Sequence, residues 1–143
     1  MHKNSAMHGV IYKDVFTRVV AYEEFIEWIE EHYSYLLDLA YKAYCNITAE
    51  TTLMLKNAEK TTRKAVMENI HNSVKNRTDK IICCNKISRT TKAYMKLYGL
   101  TSHMYRFTGV YMLYNRRKNV YSIVKGKIHN IIKGNINLHR RRR

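Results

Sequence analysis

Apolar side chains recur at alternating spacings of four and three residues along the first third of the chain. The positions are Val15, Val19, Tyr22, Ile26, Ile29, Tyr33, Leu36, Ala40, Ala43 and Ile47. This repeat predicts a helix over about 14–47 with a continuous apolar seam, suited to packing or self-association. At about 1.5 Å per residue the helix would reach roughly 50 Å. It therefore either pairs with an equally long partner or bends.

Shorter periodic segments follow, and together they predict an all-α protein of four to five helices in an elongated helical bundle. The further helices are expected at about 51–74 after a Thr-rich break, at 79–98 with Gly99 as a left-handed cap, at 101–114, and at 120–132 after a hydrophilic connection at 115–119. The chain has no Pro and five Gly, which favours long helices. Residues 1–133 are predicted to form a single helical domain, and 134–143 a flexible, disordered, Arg-rich tail.

The charge is distributed unevenly, which the formal net value of +15 hides. Residues 1–79 hold all 11 Asp and Glu together with 10 Lys and Arg, whereas residues 80–143 hold 16 Lys and Arg and no carboxylate. An ordinary solvated helical surface mixes the two signs. We therefore divide the domain into a near-neutral half, 14–79, for packing and self-association, and a basic half, 80–133, which would face a polyanion.

The first predicted helix carries an acidic stripe opposite its seam. Its members are Glu23, Glu24, Glu27, Glu30, Glu31 and Asp38. The simplest interpretation is a solvated face. The alternative is that the stripe docks on the basic half of the same or a neighbouring molecule.

The residue types that catalysis needs do not occur together, so we expect no enzymatic activity, no cofactor and no small-molecule substrate. The basic half lacks the paired carboxylates of a metal-dependent nuclease site. No metal site is expected either, because Cys83 and Cys84 are adjacent and lack the spacing that directs two thiolates at one ion. We interpret both as core residues. The chain has three Cys, whose spacing is not that of a disulfide framework, and we recognise no signal peptide. Both observations favour a reducing compartment (cytoplasm or nucleus), or the interior of a virion or ribonucleoprotein particle, over secretion.

The basic half interleaves cations with aromatic side chains, as nucleic-acid-binding proteins do. Candidate phosphate-binding residues are Arg89, Lys92, Lys96, Arg106, Arg116, Arg117, Lys118, Lys125, Lys127, Lys133, Arg140, Arg141, Arg142 and Arg143. Candidate base-stacking residues are Tyr105, Tyr114 and Tyr121, whereas the helical spacing of Tyr94, Tyr98 and Tyr111 is more typical of core positions.

Gly99 lies between two periodic segments, as the turn glycine of a helix-turn-helix DNA-binding regulator does. The motif would span residues 92–116. In that arrangement Ser102, His103 and Arg106 would face base edges, with Lys92, Lys96 and Arg116 on the backbone. A helical hairpin with a glycine cap is compatible with the same residues.

These patterns together predict a non-enzymatic protein that coats, packages or scaffolds DNA or RNA mainly through phosphate contacts, with self-association through the first helix. The alternative is a helical interaction module with an acidic protein partner. Peripheral membrane attachment through Val120–Lys133 and the Arg-rich tail is a third possibility, which the lack of Trp or Phe beyond Phe107 opposes.

Overall fold

In the computed structural model, the backbone is described for residues 5–140 and the side chains for residues 16–130. Within these limits the chain forms five α-helices and no strand, which confirms the all-α class. The helices are α1 (Ser5–His32), α2 (Leu37–Met54), α3 (Lys60–Cys83), α4 (Arg89–Leu100) and α5 (Tyr105–Arg140). The chain divides into two units after Gly109, so that α1 to α4 and the first turn of α5 belong to the first unit.

The predicted helix over 14–47 is interrupted. Of the two alternatives, the chain adopts the bend and not the straight helix. Tyr33 leaves the helical conformation, and a 3₁₀ turn at Ser34–Leu36 leads into α2. The interruption lets α2 pack back against α1. A bend is favoured because it buries part of the seam within one chain, whereas a straight helix would leave the seam uncovered. Val19, Ile26 and Ala40 are accordingly buried.

The break expected in the Thr-rich segment is wrong, since α2 runs through it to Met54. Thr48, Thr51 and Thr52 are all buried, and the Thr52 hydroxyl donates to the Thr48 carbonyl at 2.7 Å. Donation to the carbonyl four residues earlier gives the Thr52 hydroxyl a partner inside the helix, so this residue need not end it. The chain instead turns at a 3₁₀ segment, Leu55–Asn57, before α3 begins at Lys60.

The break expected between 74 and 79 is also displaced, to 84–88. Ser73 does not end the helix because its hydroxyl bonds to Tyr44 of α2, and Thr78 bonds back to the Val74 carbonyl at 2.8 Å. The following helix, α4, is capped by Ser88, whose side chain accepts from the backbone N–H of Thr91 at 3.1 Å.

Gly99 does not cap α4 in the left-handed conformation, since no described residue has a positive φ. It lies inside α4, at the place where this helix packs on α3. A Cβ at Gly99 would lie 2.9 Å from the Thr78 hydroxyl oxygen. Glycine is therefore needed here for close helix packing, and the prediction of a cap was wrong.

The hydrophilic connection expected at 115–119 is helical, so the last two predicted helices are one element, α5. A Lys/Arg/Asn-rich sequence without Pro does not interrupt a helix by itself. Of the predicted tail, residues 134–140 are in the α5 backbone, while 141–143 lie outside the described residues.

The core contains tyrosines whose hydroxyl groups bond to Ser or Thr on another helix. Tyr44 of α2 bonds to Ser73 of α3, Tyr98 of α4 bonds to Thr52 of α2 at 2.6 Å, and Tyr94 of α4 bonds to Thr108 of α5 at 2.7 Å. Two of these pairs link consecutive helices, and the pair of Tyr98 with Thr52 links α4 to α2. Burial raises the pKa of Tyr44 to about 12 and that of Tyr98 well above its usual value, so both phenols stay protonated donors.

Two predictions about core residues can be compared with the structure. Tyr94, Tyr98 and Tyr111 are buried, as their spacing indicated. Cys84, which follows the end of α3, is buried, but its neighbour Cys83, the last residue of this helix, is exposed. Assigning both cysteines to the core was therefore wrong for Cys83.

Candidate nucleic-acid interface

Part of the acidic stripe of α1 is used inside the molecule. Glu23 accepts from Arg77 of α3 at 3.1 Å and also from the Ser73 hydroxyl, and Glu27 accepts from Arg77 at 3.3 Å. Glu30 pairs with Lys80 at 2.8 Å. The interpretation of the whole stripe as a solvated face was therefore wrong. Only the pair of Glu30 with Lys80 matches the alternative that the sequence left open, docking on the basic half, because Glu23 and Glu27 pair with Arg77 of the near-neutral half.

Asp38, at the start of α2, is also engaged. Its carboxylate accepts from the backbone N–H of Asn85 at 2.9 Å. This hydrogen bond lowers the pKa of Asp38 below its usual value of 3.8, because the N–H stabilises the ionised form.

The bases of α4 and α5 have no comparable partners. Lys80 is the only cation of the basic half that forms an ion pair among the described side chains. The charge separation seen in the sequence is thus also a separation of ion pairs, because acids pair with Arg77 and Lys80 while the described side chains of the α4 and α5 cations pair with no carboxylate.

Helix α4 presents its cations on the side opposite its core residues. Arg89 and Lys96 are exposed and Lys92 is half-buried. These positions are three and four residues apart, which places them along one face of the helix. Thr91, Tyr94, Met95 and Tyr98 are buried on the other side. The predicted cationic outer face of this helix is therefore present in the first unit.

Helix α5 carries most of the remaining candidates. Arg106, in the first unit, is exposed, and so are Arg116, Arg117, Lys118, Lys125 and Lys127 in the second unit. Lys133 and Arg140–Arg143 lie outside the described side chains. Each described cation of α5 is thus open to solvent in its own unit.

The three candidate stacking tyrosines differ in their surroundings. Tyr114 is 52% exposed and Tyr121 is 70% exposed. Tyr105 is half-buried, and the guanidinium of Arg63 lies over its ring, 4.6 Å from the ring centroid. Tyr105 is therefore already stacked on an arginine of its own chain.

Tyr105 marks a group of basic residues that the sequence interpretation missed. A pocket of about 150 Å³ lies between the first turns of α3 and the segment that joins α4 to α5. It is lined by Lys60, Arg63, Lys64, Met67, Ser102, His103 and Tyr105. These three bases, Lys60, Arg63 and Lys64, belong to the near-neutral half, in which the acids offset them in the net charge. Their spacing of three and one, within a single helical turn, was the signal for a local cluster.

The electrostatics of this pocket are positive. Arg106 donates from Nε to the Tyr105 hydroxyl oxygen at 3.2 Å, and this bond lowers the pKa of Tyr105, with Arg63 and Lys60 adding to the effect. No carboxylate lines the pocket.

Comparison with known protein families, curated proteins and solved structures finds no match.

Two further features of the described chain bear on its chemistry. Among these residues, no three His, Cys, Asp or Glu side chains lie close enough to hold a metal ion. In the same part of the chain, no helix combines the length and the apolar character that crossing a membrane requires.

Proposed function

We propose that the protein binds DNA or RNA without catalysis and coats, packages or scaffolds it mainly through phosphate contacts. The observation that carries the proposal is the division of ion pairs between the helices. Carboxylates of α1 pair with bases of α3, and the cations of α4 and α5 have no carboxylate within the described residues. Cations that the chain does not neutralise attract a polyanion and displace its condensed counterions.

The spacing on α4 is compatible with a phosphate backbone. Arg89 and Lys96 are separated by about 10 Å along the helix axis, at 1.5 Å per residue. Three nucleotides of one duplex strand cover about the same distance, at 3.4 Å each. One face of α4 thus carries three cations, Arg89, Lys92 and Lys96, within about the axial rise of three nucleotides.

The experiment is a salt titration of binding to a duplex and to a single strand of equal length. If six to ten phosphates are contacted, we expect affinity to fall about 10³- to 10⁵-fold between 50 and 200 mM salt. Binding that does not depend on salt, or no binding to either polymer, would refute the proposal.

A matched pair of variants locates the interface. The triple variant Arg89→Gln, Lys92→Gln, Lys96→Gln removes three charges from α4. The control Lys42→Gln, Lys56→Gln, Lys75→Gln removes three charges from exposed positions in the near-neutral half. We expect the α4 variant to reduce the slope of log affinity against log salt by up to about 2.7 on a duplex, since each phosphate contributes about 0.9. Equal losses in both variants would mean that only net charge matters.

A second candidate function is a helical interaction module with an acidic partner, which an apolar stripe on α5 favours. Its residues are between 49% and 70% exposed, and they are Leu113, Tyr114, Val120, Tyr121, Val124 and Ile128. At about 100° per residue, Arg116 and Lys127 fall along one edge of the stripe and Lys118 and Lys125 along the other. The exposed Arg117 falls within the stripe and interrupts it. An amphipathic helix with acidic flanks would complement this surface. Under this function the protein would form a stable oligomer, or a stable complex with its acidic partner, and would not bind nucleic acid at physiological salt.

Self-association through the first helix requires a different surface from the seam. The seam residues Val19, Ile26 and Ile29 of α1 are buried within the chain, so they are not free to contact another copy, whereas the outer face of α1 is. That face carries Phe25 and Trp28, which are 44% and 48% exposed and stack on each other. Light scattering of Trp28→Ala against wild type tests this contact, because loss of the oligomer is expected only if the outer face forms it.

A further inference from the structure

The pocket between α3 and the α4–α5 connection is built from two distant parts of the sequence. Lys60, Arg63 and Lys64 come from the first turns of α3, and Ser102 and His103 come from the connection. The hydroxyl and the imidazole add hydrogen-bonding groups to the three cations. The buried thioether side chain of Met67 forms part of the lining.

The arginine of this pocket is held in position by its own chain. One of its terminal nitrogens donates to the Lys56 carbonyl at 3.2 Å, and its guanidinium carbon lies 4.6 Å from the Tyr105 ring centroid. A guanidinium fixed in this way loses little conformational freedom when it binds a ligand. Among the described residues, no carboxylate forms an ion pair with Arg63.

The start of α3 adds to the positive potential. Glu59, the residue before the helix, makes no side-chain cap, and its carboxylate accepts from the Thr61 hydroxyl at 3.1 Å. The first backbone N–H groups of a helix carry a partial positive charge and favour anions. Glu59 is exposed and is not part of the pocket lining.

We infer that this pocket binds a phosphate monoester group between Lys60, Arg63 and Lys64. Three cations without a lining carboxylate suit a group that carries nearly two negative charges at neutral pH. Its volume of about 150 Å³ is smaller than the roughly 300–1,000 Å³ of pockets that enclose whole small molecules. The pocket therefore takes the phosphate, and the rest of the ligand lies outside. That the phosphate is the 5′ end of a strand rests on the proposed nucleic-acid binding.

The test compares two single-stranded oligonucleotides of one sequence, one with a 5′ phosphate and one with a 5′ hydroxyl. The pocket variant is Lys60→Gln, Lys64→Gln, and its control is Lys42→Gln, Lys75→Gln, which makes the same change in net charge. All four lysines are exposed, so both variants should fold. We expect wild type and control to prefer the 5′ phosphate by about tenfold, equivalent to about 1.4 kcal/mol. The pocket variant should bind both oligonucleotides equally.

A second measurement uses inorganic phosphate alone and follows the NMR resonances of the His103 ring. If phosphate shifts these resonances in wild type and not in the pocket variant, while no preference for the 5′ phosphate exists, the phosphate site stands and its assignment to a strand end is wrong. Absence of both effects would overturn the inference. A chain that binds no oligonucleotide but retains the phosphate-induced shift would refute the proposed function and leave the pocket in place.

Discussion

Replacing Gly99 by Ala tests the close packing of α4 on α3. Whether the substitution raises or lowers the free energy of unfolding depends on one neighbouring atom. The added Cβ would lie 2.9 Å from the Thr78 hydroxyl oxygen, while the next atoms, the Lys75 Cα and the Thr78 Cβ, would be in ordinary contact at 3.8 and 3.9 Å. That hydroxyl donates to the Val74 carbonyl at 2.8 Å. Rotating it away would break this hydrogen bond, and a β-branched side chain in a helix has few other rotamers.

The magnitude follows from two opposing effects. Overpacking of this kind typically costs about 1–3 kcal/mol. Alanine inside a helix is favoured over glycine by about 1 kcal/mol. We therefore expect Gly99→Ala to lower the free energy of unfolding by about 1 kcal/mol. In a Thr78→Ala background the obstructing oxygen is absent, so the same substitution should raise it by up to about 1 kcal/mol.

The assay is urea unfolding of the four proteins of this double-mutant cycle, followed by circular dichroism at 222 nm. The expected coupling between the two positions is about 2 kcal/mol, in the range seen for residues in contact. Gly109→Ala is the control, because a Cβ at Gly109 meets no atom within 4 Å and should only stabilise the helix. If Gly99→Ala changes stability by the same amount and sign in both backgrounds, the close approach to Thr78 does not explain the glycine.

Three other predictions concern charges and thiols. Glu23→Gln should lower the free energy of unfolding by about 1–3 kcal/mol, because it removes the carboxylate from a partly buried, charge-assisted hydrogen bond to Arg77 of α3. The exposed control Glu24→Gln should change this free energy by less than about 0.5 kcal/mol. Equal effects of the two substitutions in urea unfolding would contradict the pairing. The lowered pKa of Asp38 means that its ionised form stabilises the fold above about pH 3.8, so wild type and Asp38→Ala should differ in unfolding free energy at pH 6 and converge as the pH falls below that value. Alkylation followed by mass spectrometry should modify exposed Cys83 first and leave Cys45 unmodified until unfolding, because burial raises the pKa of Cys45 to about 12.

The all-α class was predictable because the apolar repeat with period 3.6 records which side of each helix is buried. The seam residues Val19, Ile26 and Ala40 are in the core as the repeat required. The interruption at Tyr33 was not predictable to the residue, because the repeat continues through it without a missed position. The bend is decided by the packing of α1 on α2, which is a tertiary contact.

The helix ends were misplaced where polar residues have partners elsewhere in the fold. Thr52 and Ser73 are frequent at helix ends, yet here they bond to Tyr98 and Tyr44 across helix contacts. A sequence window does not contain those partners. Gly99 was mistaken for a cap for the same reason, since its neighbour Thr78 is 21 positions earlier in the chain.

The candidate site was predictable only in part. A charge count identifies α4 and α5, because it needs no knowledge of neighbours. It overlooks the pocket at Lys60, Arg63 and Lys64, since the sum over residues 1–79 cancels bases against acids that lie elsewhere. The pairs of Arg77 with Glu23 and Glu27 show where some of those acids are.

The hydroxyl pairs between helices have a consequence for how the bundle could slide. Apolar side chains tolerate a shift of one helix along another, because a neighbouring residue can fill a similar space. A Tyr hydroxyl and a Ser or Thr hydroxyl meet at only one axial position, and a slip of one turn, about 5.4 Å, would take the Ser or Thr acceptor away from the buried Tyr hydroxyl. Tyr44–Ser73, Tyr98–Thr52 and Tyr94–Thr108 therefore set the register of α2 on α3, α2 on α4 and α4 on α5.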